Sequence, residues 1–242
     1  DPDRFLVVLG AALRLEERNP AGLAGLSFHM GCRLPLADPI APDSPRNTLT
    51  FNSFQVRLPV RKEDGTADFK IASVPVSAPV SVGYLPYTLT NLLQLAFRTL
   101  GYPYGWGGLR DAVDCSALIL NIYRTFGIIL PRNSSRQALV PGTTYPLAAT
   151  PEHAWKDHLP ALPPGSLLYL KGHIMIYLGT ARNRFYSLHA LAAYGTIIPG
   201  EDPPRTMRNE VMAIVVSDLD LVRTNGTTLG DSLVNAKRIV LP

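Results

Sequence analysis

The spacing of apolar residues changes near residue 87. Before that point they fall in short β-like runs, Arg4 to Glu16, Leu26 to Leu36, Gln55 to Arg61 and Asp68 to Val74, broken by proline-rich loops. Short strands punctuated in this way predict a small all-β barrel. After it the period becomes mixed. Thr90 is expected to cap a helix carrying Leu92, Leu93, Leu95, Ala96 and Leu100 and ended by Gly101. From Asp114, an N-capping residue, Leu118, Ile119, Ile122, Tyr123 and Phe126 recur at helical spacing, and Gly127 supplies the stop. Ser166-Leu-Leu-Tyr-Leu, His173-Ile-Met-Ile-Tyr-Leu-Gly and Arg184-Phe-Tyr-Ser-Leu-His-Ala-Leu then read as strands, the last two joined by a turn over Thr180 to Asn183. Helices before strands predict an α+β domain over residues 88–242, preceded by a small all-β module over 1–87. The proline-rich stretch from Pro141 to Pro164 is expected to be a loop bordering the cleft.

This pattern places one cysteine where a nucleophile belongs. Cys115 leaves the glycine-rich loop Tyr104-Gly-Trp-Gly-Gly and enters the first helical turn. Unpaired N–H groups and the positive helix end there are expected to lower the thiol pKa from about 8.5 and to hold an oxyanion. Folding the last two strands about their turn sets His173 opposite His189, within one residue of register; a slip would part their faces. Cys115, His173 and His189 then form a nucleophile, a base and a group that orients the base. Cys32, in an apolar run, reads as a small core residue. His29 with Cys32 lacks the second pair that a zinc site needs, and His153 and His158, near Glu152 and Asp157, read as solvated loop residues.

Composition narrows the class. The chain has 242 residues, 46% hydrophobic and 17% charged, enough for one ordinary domain and a smaller one. The net charge is +4, but the basic residues are scattered and are not interleaved with aromatics, which argues against a nucleic-acid groove. A mild positive field suits an anionic polymer. No apolar run reaches the ~18 residues of a membrane span. Two cysteines make no disulfide framework, and pairing Cys32 with Cys115 would consume the nucleophile. The chain begins Asp1-Pro-Asp-Arg without methionine, from which removal of a leader is expected.

The segments Tyr104-Gly-Trp-Gly-Gly, Asp114-Cys-Ser, Gly127-Ile-Ile-Leu-Pro-Arg-Asn-Ser-Ser-Arg-Gln, Gly165-Ser-Leu-Leu-Tyr-Leu, Gly172-His-Ile-Met-Ile-Tyr-Leu-Gly and Leu188-His-Ala stand in one order. Together they resemble the NlpC-type, papain-like cell-wall cysteine peptidases over about residues 88 to 220. Phe54-Gln-Val-Arg-Leu-Pro-Val-Arg, Asp64-Gly and Val80-Ser-Val-Gly-Tyr-Leu-Pro-Tyr-Thr look like the SH3-like module that precedes the peptidase in γ-D-glutamyl-L-diamino acid endopeptidases. Ala117 replaces the usual glycine and Ser166 a frequent aspartate. A further upstream SH3-like module of such relatives is not visible, so the chain looks like a fragment or a processed form.

The resemblance implies a papain-like fold and hydrolysis of the γ-D-glutamyl to diaminopimelate bond in the peptidoglycan stem L-Ala-γ-D-Glu-diaminopimelate. Catalysis would fall to Cys115, His173 and His189, with no metal or organic cofactor. It further implies that Tyr104, Asp114, Ser116 and Ser134 hold the free L-alanine amine, and that the protein works in the cell envelope, periplasmic or extracellular. Two alternatives stay open: a catalytically inactive peptidoglycan-binding module, and an amidase or acyltransferase on the same scaffold.

Overall fold

The structure, a computed structural model, describes residues 4–37, 52–147, 155–200 and 205–239. The chain divides into two compact units, Asp1–Pro86 with Asn121–Ile128, and Tyr87–Leu120 with Ile129–Pro242. The first unit therefore also takes a short segment from the middle of the chain.

The strands of the first unit are β1 (Phe5–Val8), β2 (Ala12–Arg14), β3 (Ser27–His29), β4 (Arg33–Pro35), β5 (Ser53–Arg61), β6 (Ala67–Pro75) and β7 (Val80–Val82). They form a three-stranded sheet ordered β4-β1-β7 and two hairpins, β2-β3 and β5-β6. The β5-β6 turn closes where Asp64 Oδ1 accepts from the Thr66 N–H and hydroxyl and Gly65 adopts φ +85°, the local bonding that suits Asp and Gly to turns. Alternate residues Leu6 and Val8, Val56 and Leu58, and Ala72 and Val74 point into one core with Leu13, Leu23 and Leu34. Cys32 is a free thiol packed against that core.

The second unit opens with α1 (Leu89–Phe97). Its cap is Thr88 and not the expected Thr90: Thr88 is extended, and its hydroxyl accepts from the Asn91 N–H at 3.2 Å. Two threonines two residues apart satisfy the same sequence rule, and the buried set Leu92, Leu95 and Ala96 decides between them. The helix stops at Phe97, so Leu100 lies beyond it, 45% exposed. The helix α2 (Cys115–Arg124), which begins with Cys115 and whose residues from Asn121 onward fall in the first unit, is followed by α3 (Ser134–Gln137), β8 (Thr143–Pro146) and α4 (Trp155–His158). Then come β9 (Leu167–Leu170), β10 (His173–Ala181), β11 (Arg184–Ile197), β12 (Thr206–Asp218) and β13 (Leu233–Arg238).

Six strands make one antiparallel sheet ordered β12-β11-β10-β9-β13-β8. This is the α+β arrangement expected of the domain. Several elements of this unit lie outside the sequence expectation. β12 and β13 were not foreseen, and the stretch expected as loop from Pro141 to Pro164 contains β8 and α4. Trp155 explains α4: it is 2% exposed, stands edge-on to Phe185 at 5.6 Å and donates from Nε1 to Asp231 Oδ1 at 2.9 Å. Burial of such a ring contributes roughly 1.5–3 kcal/mol, enough to order a short turn of weak propensity. His158, on the same turn, is exposed, while Glu152 and His153 lie outside the described residues. Among the described residues no helix is long and apolar enough to cross a membrane.

Candidate active site

The loop before α2 is shaped by glycine. A Cβ on Gly105 would overlap Leu109 O and Ala112 Cβ, so only glycine lets the chain fold tightly against the 3-10 turn Trp106–Asp111. The Gly105 N–H donates to Val113 O at 3.1 Å, which fixes the approach to Asp114. Asp114 caps α2 as expected: its Oδ1 accepts from the Ala117 N–H at 2.8 Å. The same oxygen accepts from Ser116 Oγ at 3.0 Å and Arg132 Nη1 at 3.0 Å. Oδ2 accepts from Arg132 Nη2 at 2.6 Å and the Gly107 N–H at 3.1 Å.

Arg132 is thus a two-pronged partner of the cap, and a third bond runs from its Nη1 to Ser116 Oγ at 2.9 Å. Burial opposes a charge on Asp114, but hydrogen bonds from Arg132 and Ala117 outweigh it and hold the carboxyl below its ordinary range. Sequence reasoning assigned Arg132 no role. The available signal was indirect: a carboxylate at a buried helix start needs a cation. Gln137, fully buried, ties the two segments together, its Nε2 donating to Ser116 O at 2.9 Å and Pro131 O at 2.8 Å.

The base side is built from β10 and β11. Arg182 and Asn183, both at positive φ, form their turn, tighter than the four-residue turn expected. Ile176 pairs with Leu188, and the register shifts at a bulge between Tyr177 and Gly179. Continued past Leu188, that pairing puts His189 and His173 on a diagonal, two residues from directly opposite. A two-residue offset keeps both on one face, and His173 Nε2 meets His189 Nδ1 at 2.7 Å. Behind them Ser217 of β12 sits 2.9 Å from His189 Nε2. Ser217 was invisible in the sequence because its strand was not foreseen.

This chain of contacts constrains the protons. If His173 Nδ1 is to accept a proton, neutral His173 carries hydrogen on Nε2 and donates it to His189 Nδ1. His189 then carries hydrogen on Nε2 and donates to Ser217 Oγ. Burial, with the nearby Arg223 charge, pushes His173 down to about 4. Burial, with His173 beside it, lowers His189 well below the ordinary histidine range. Both rings are neutral at neutral pH.

Cys115 is 9% exposed. It lines a pocket of about 730 Å³ together with Tyr104, Asp114, Ser116, Ser134 and His173. Every expected site residue is at this pocket except His189, which stands behind His173 with no exposed surface. The thiol departs from expectation: its pKa is raised, not lowered. Burial dominates, the Asp114 charge adds to it, and backbone N–H groups of Ile174, Ser116 and Cys115 only partly offset both. The helix start does aid the thiolate, but desolvation is larger. Tyr104 is held in its protonated form by burial and by the Asp114 charge, which leaves it a donor. Among the described residues no group of three His, Cys, Asp or Glu side chains could hold a metal.

Residues 101–198 match the model of the NlpC/P60 family. The structure is similar to that of an NlpC/P60 endopeptidase from Photobacterium damselae subsp. piscicida, at 19% identity and TM-score 0.75, covering 97% of this chain and 53% of that one. It is also similar to an NlpC/P60 family protein from Bacillus cereus ATCC 10987, at 18% identity and TM-score 0.58, covering 97% and 63% respectively. At these identities the likeness is one of fold, and the chain spans less than two thirds of either relative. No curated protein is matched by the chain.

Proposed function

From the premise that the chain carries an NlpC/P60 domain with a papain-like fold, we propose a cysteine endopeptidase that hydrolyses the γ-D-glutamyl to diamino acid bond of peptidoglycan stem peptides in the cell envelope. Members of that family are generally peptidoglycan hydrolases. The observation that carries the reading is the relay behind the pocket, His173 Nε2 to His189 Nδ1 at 2.7 Å, whose first member His173 lines the same pocket as Cys115.

The chemistry starts from a neutral thiol and a neutral imidazole. His173 Nδ1 takes the Cys115 proton as sulfur bonds to the carbonyl carbon, and the oxyanion is met by the Cys115 N–H and the Tyr104 hydroxyl. His173 returns that proton to the leaving nitrogen as the C–N bond breaks, leaving a thioester. Water, deprotonated by His173, then releases the acid and restores the thiol. His189 keeps His173 in the donating tautomer and Ser217 does the same for His189.

On the acyl side Tyr104, Asp114, Ser116 and Ser134 receive the free L-alanine amine. Arg132 already meets much of the Asp114 charge, so the hydroxyls carry more of this task than a bare carboxylate would leave them. The β-strands of the first unit support its reading as an SH3-like module over residues 1–87.

The test is mass spectrometry of L-Ala-γ-D-Glu-diaminopimelate and its N-acetylated analogue incubated with the protein and with Cys115→Ala. Cleavage of the free-amine peptide alone, abolished in the variant, is expected. Equal cleavage of both peptides removes the amine anchor, and undiminished cleavage by Cys115→Ala ends the proposal.

A further inference from the structure

Three of the residues that line the pocket are charged, Asp114, Arg132 and Lys171. The first two neutralise one another through a 2.6 Å ion pair. Lys171 forms no ion pair among the described residues, so the pocket presents a net positive charge.

The fold dictates where that charge lies. Leu170 pairs with His173 across the β9-β10 hairpin, so Lys171 and Gly172 are its two-residue turn, with Gly172 at φ +81°. A turn this short fixes the Lys171 backbone to within two residues of the base. The base is also the acid that protonates the leaving nitrogen, so the substrate beyond that nitrogen passes His173. Lys171 therefore stands on the leaving-group side, opposite the side assigned to Asp114, Ser116 and Ser134. Arg223 adds to the field there: its charge bears on His173, and its bond among the described residues is to the neutral Ser232 hydroxyl at 3.1 Å.

We propose that Lys171 selects a leaving diamino acid whose side chain ends in a carboxylate over one that lacks it. This deepens the endopeptidase reading and rests on it. Diaminopimelate and lysine both carry a distal amine, and they differ by one distal carboxylate. A lysine ammonium would be repelled by Lys171 and Arg223, whereas the extra carboxylate of diaminopimelate offsets its amine and pairs with Lys171.

The test compares kcat/KM for L-Ala-γ-D-Glu-diaminopimelate, the same peptide with the distal carboxylate amidated, and L-Ala-γ-D-Glu-L-Lys. The wild-type protein is expected to favour the first over the other two by about fivefold, the scale of one exposed ion pair. Lys171→Met is expected to bring the diaminopimelate-to-lysine ratio near one, and Lys171→Glu to invert it. An unchanged ratio in both variants, or equal rates on the acid and its amide with the wild-type protein, overturns the role of Lys171 while the peptidase stands. Cleavage of none of the three peptides overturns the endopeptidase reading and the proposal with it.

Discussion

The two sides of the pocket handle polarity in opposite ways. On the nucleophile side a charge is kept: Asp114 is ionised, gripped by both prongs of Arg132 and by two backbone N–H groups. On the base side the rings themselves carry no charge: His173 and His189 are neutral and desolvated, and among the described residues their ring nitrogens bond to each other and to the Ser217 hydroxyl. A rigid ion pair suits a structural task, holding the helix start that aims Cys115. A neutral relay suits the proton-accepting role proposed for His173, because an already charged ring would have nothing to accept. Among the described residues no carboxylate bonds to either ring to stabilise a protonated form, so the resting state of His173 differs from that of a preformed thiolate–imidazolium pair.

Breaking the base side is expected to have the largest effect. His173→Ala should lower kcat by roughly 10³-fold, within the usual range for a lost general base, while the circular dichroism spectrum is unchanged. Next comes the nucleophile side, where Arg132→Met strands the Asp114 carboxylate, only 10% exposed. Arg132 is itself 44% exposed, so the cost is expected at ~2 kcal/mol in denaturant unfolding, below that of a fully buried pair. Adding Asp114→Asn should recover part of the loss, and additive losses would show that the two residues are not coupled.

Ser217→Ala is expected to be milder, lowering kcat about tenfold through the unpaired His189 Nε2 and leaving KM nearly unchanged, while the stranded buried donor costs about 1 kcal/mol of stability. A proportional change in KM would instead mark Ser217 as a packing residue. The smallest effect is on pH dependence. The proposed mechanism needs neutral His173, so kcat/KM should fall as pH drops through about 4 and stay flat until the raised Cys115 thiol ionises. The same depressed histidine links to stability. Unfolded, it binds a proton near pH 6.5, and folded, only near 4, so the unfolded state gains protons in that window. The melting temperature should therefore fall as pH drops from 6.5 towards 4, and His173→Gln should flatten that slope.

Local rules in the sequence were sufficient for the parts of the site that are local. The Asp114 cap, the placement of Cys115 in the first turn, and the His173 and His189 strands all follow from spacing and side-chain chemistry over a few residues, and the structure has them. What the sequence left open depended on groups far apart in the chain. Arg132 reaches Asp114 across 18 positions and Ser217 reaches His189 across 28, and no periodicity encodes such pairs. Thr88 rather than Thr90 caps α1 because burial, which local pattern only approximates, selects the register. The thiol shows the limit most clearly. The Cys115 and Ser116 N–H groups favour the thiolate, but the surrounding protein removes water from the sulfur, the adjacent Asp114 charge adds to that effect, and the pKa rises instead. Desolvation is a property of packing in three dimensions, and only the tertiary structure decided its sign.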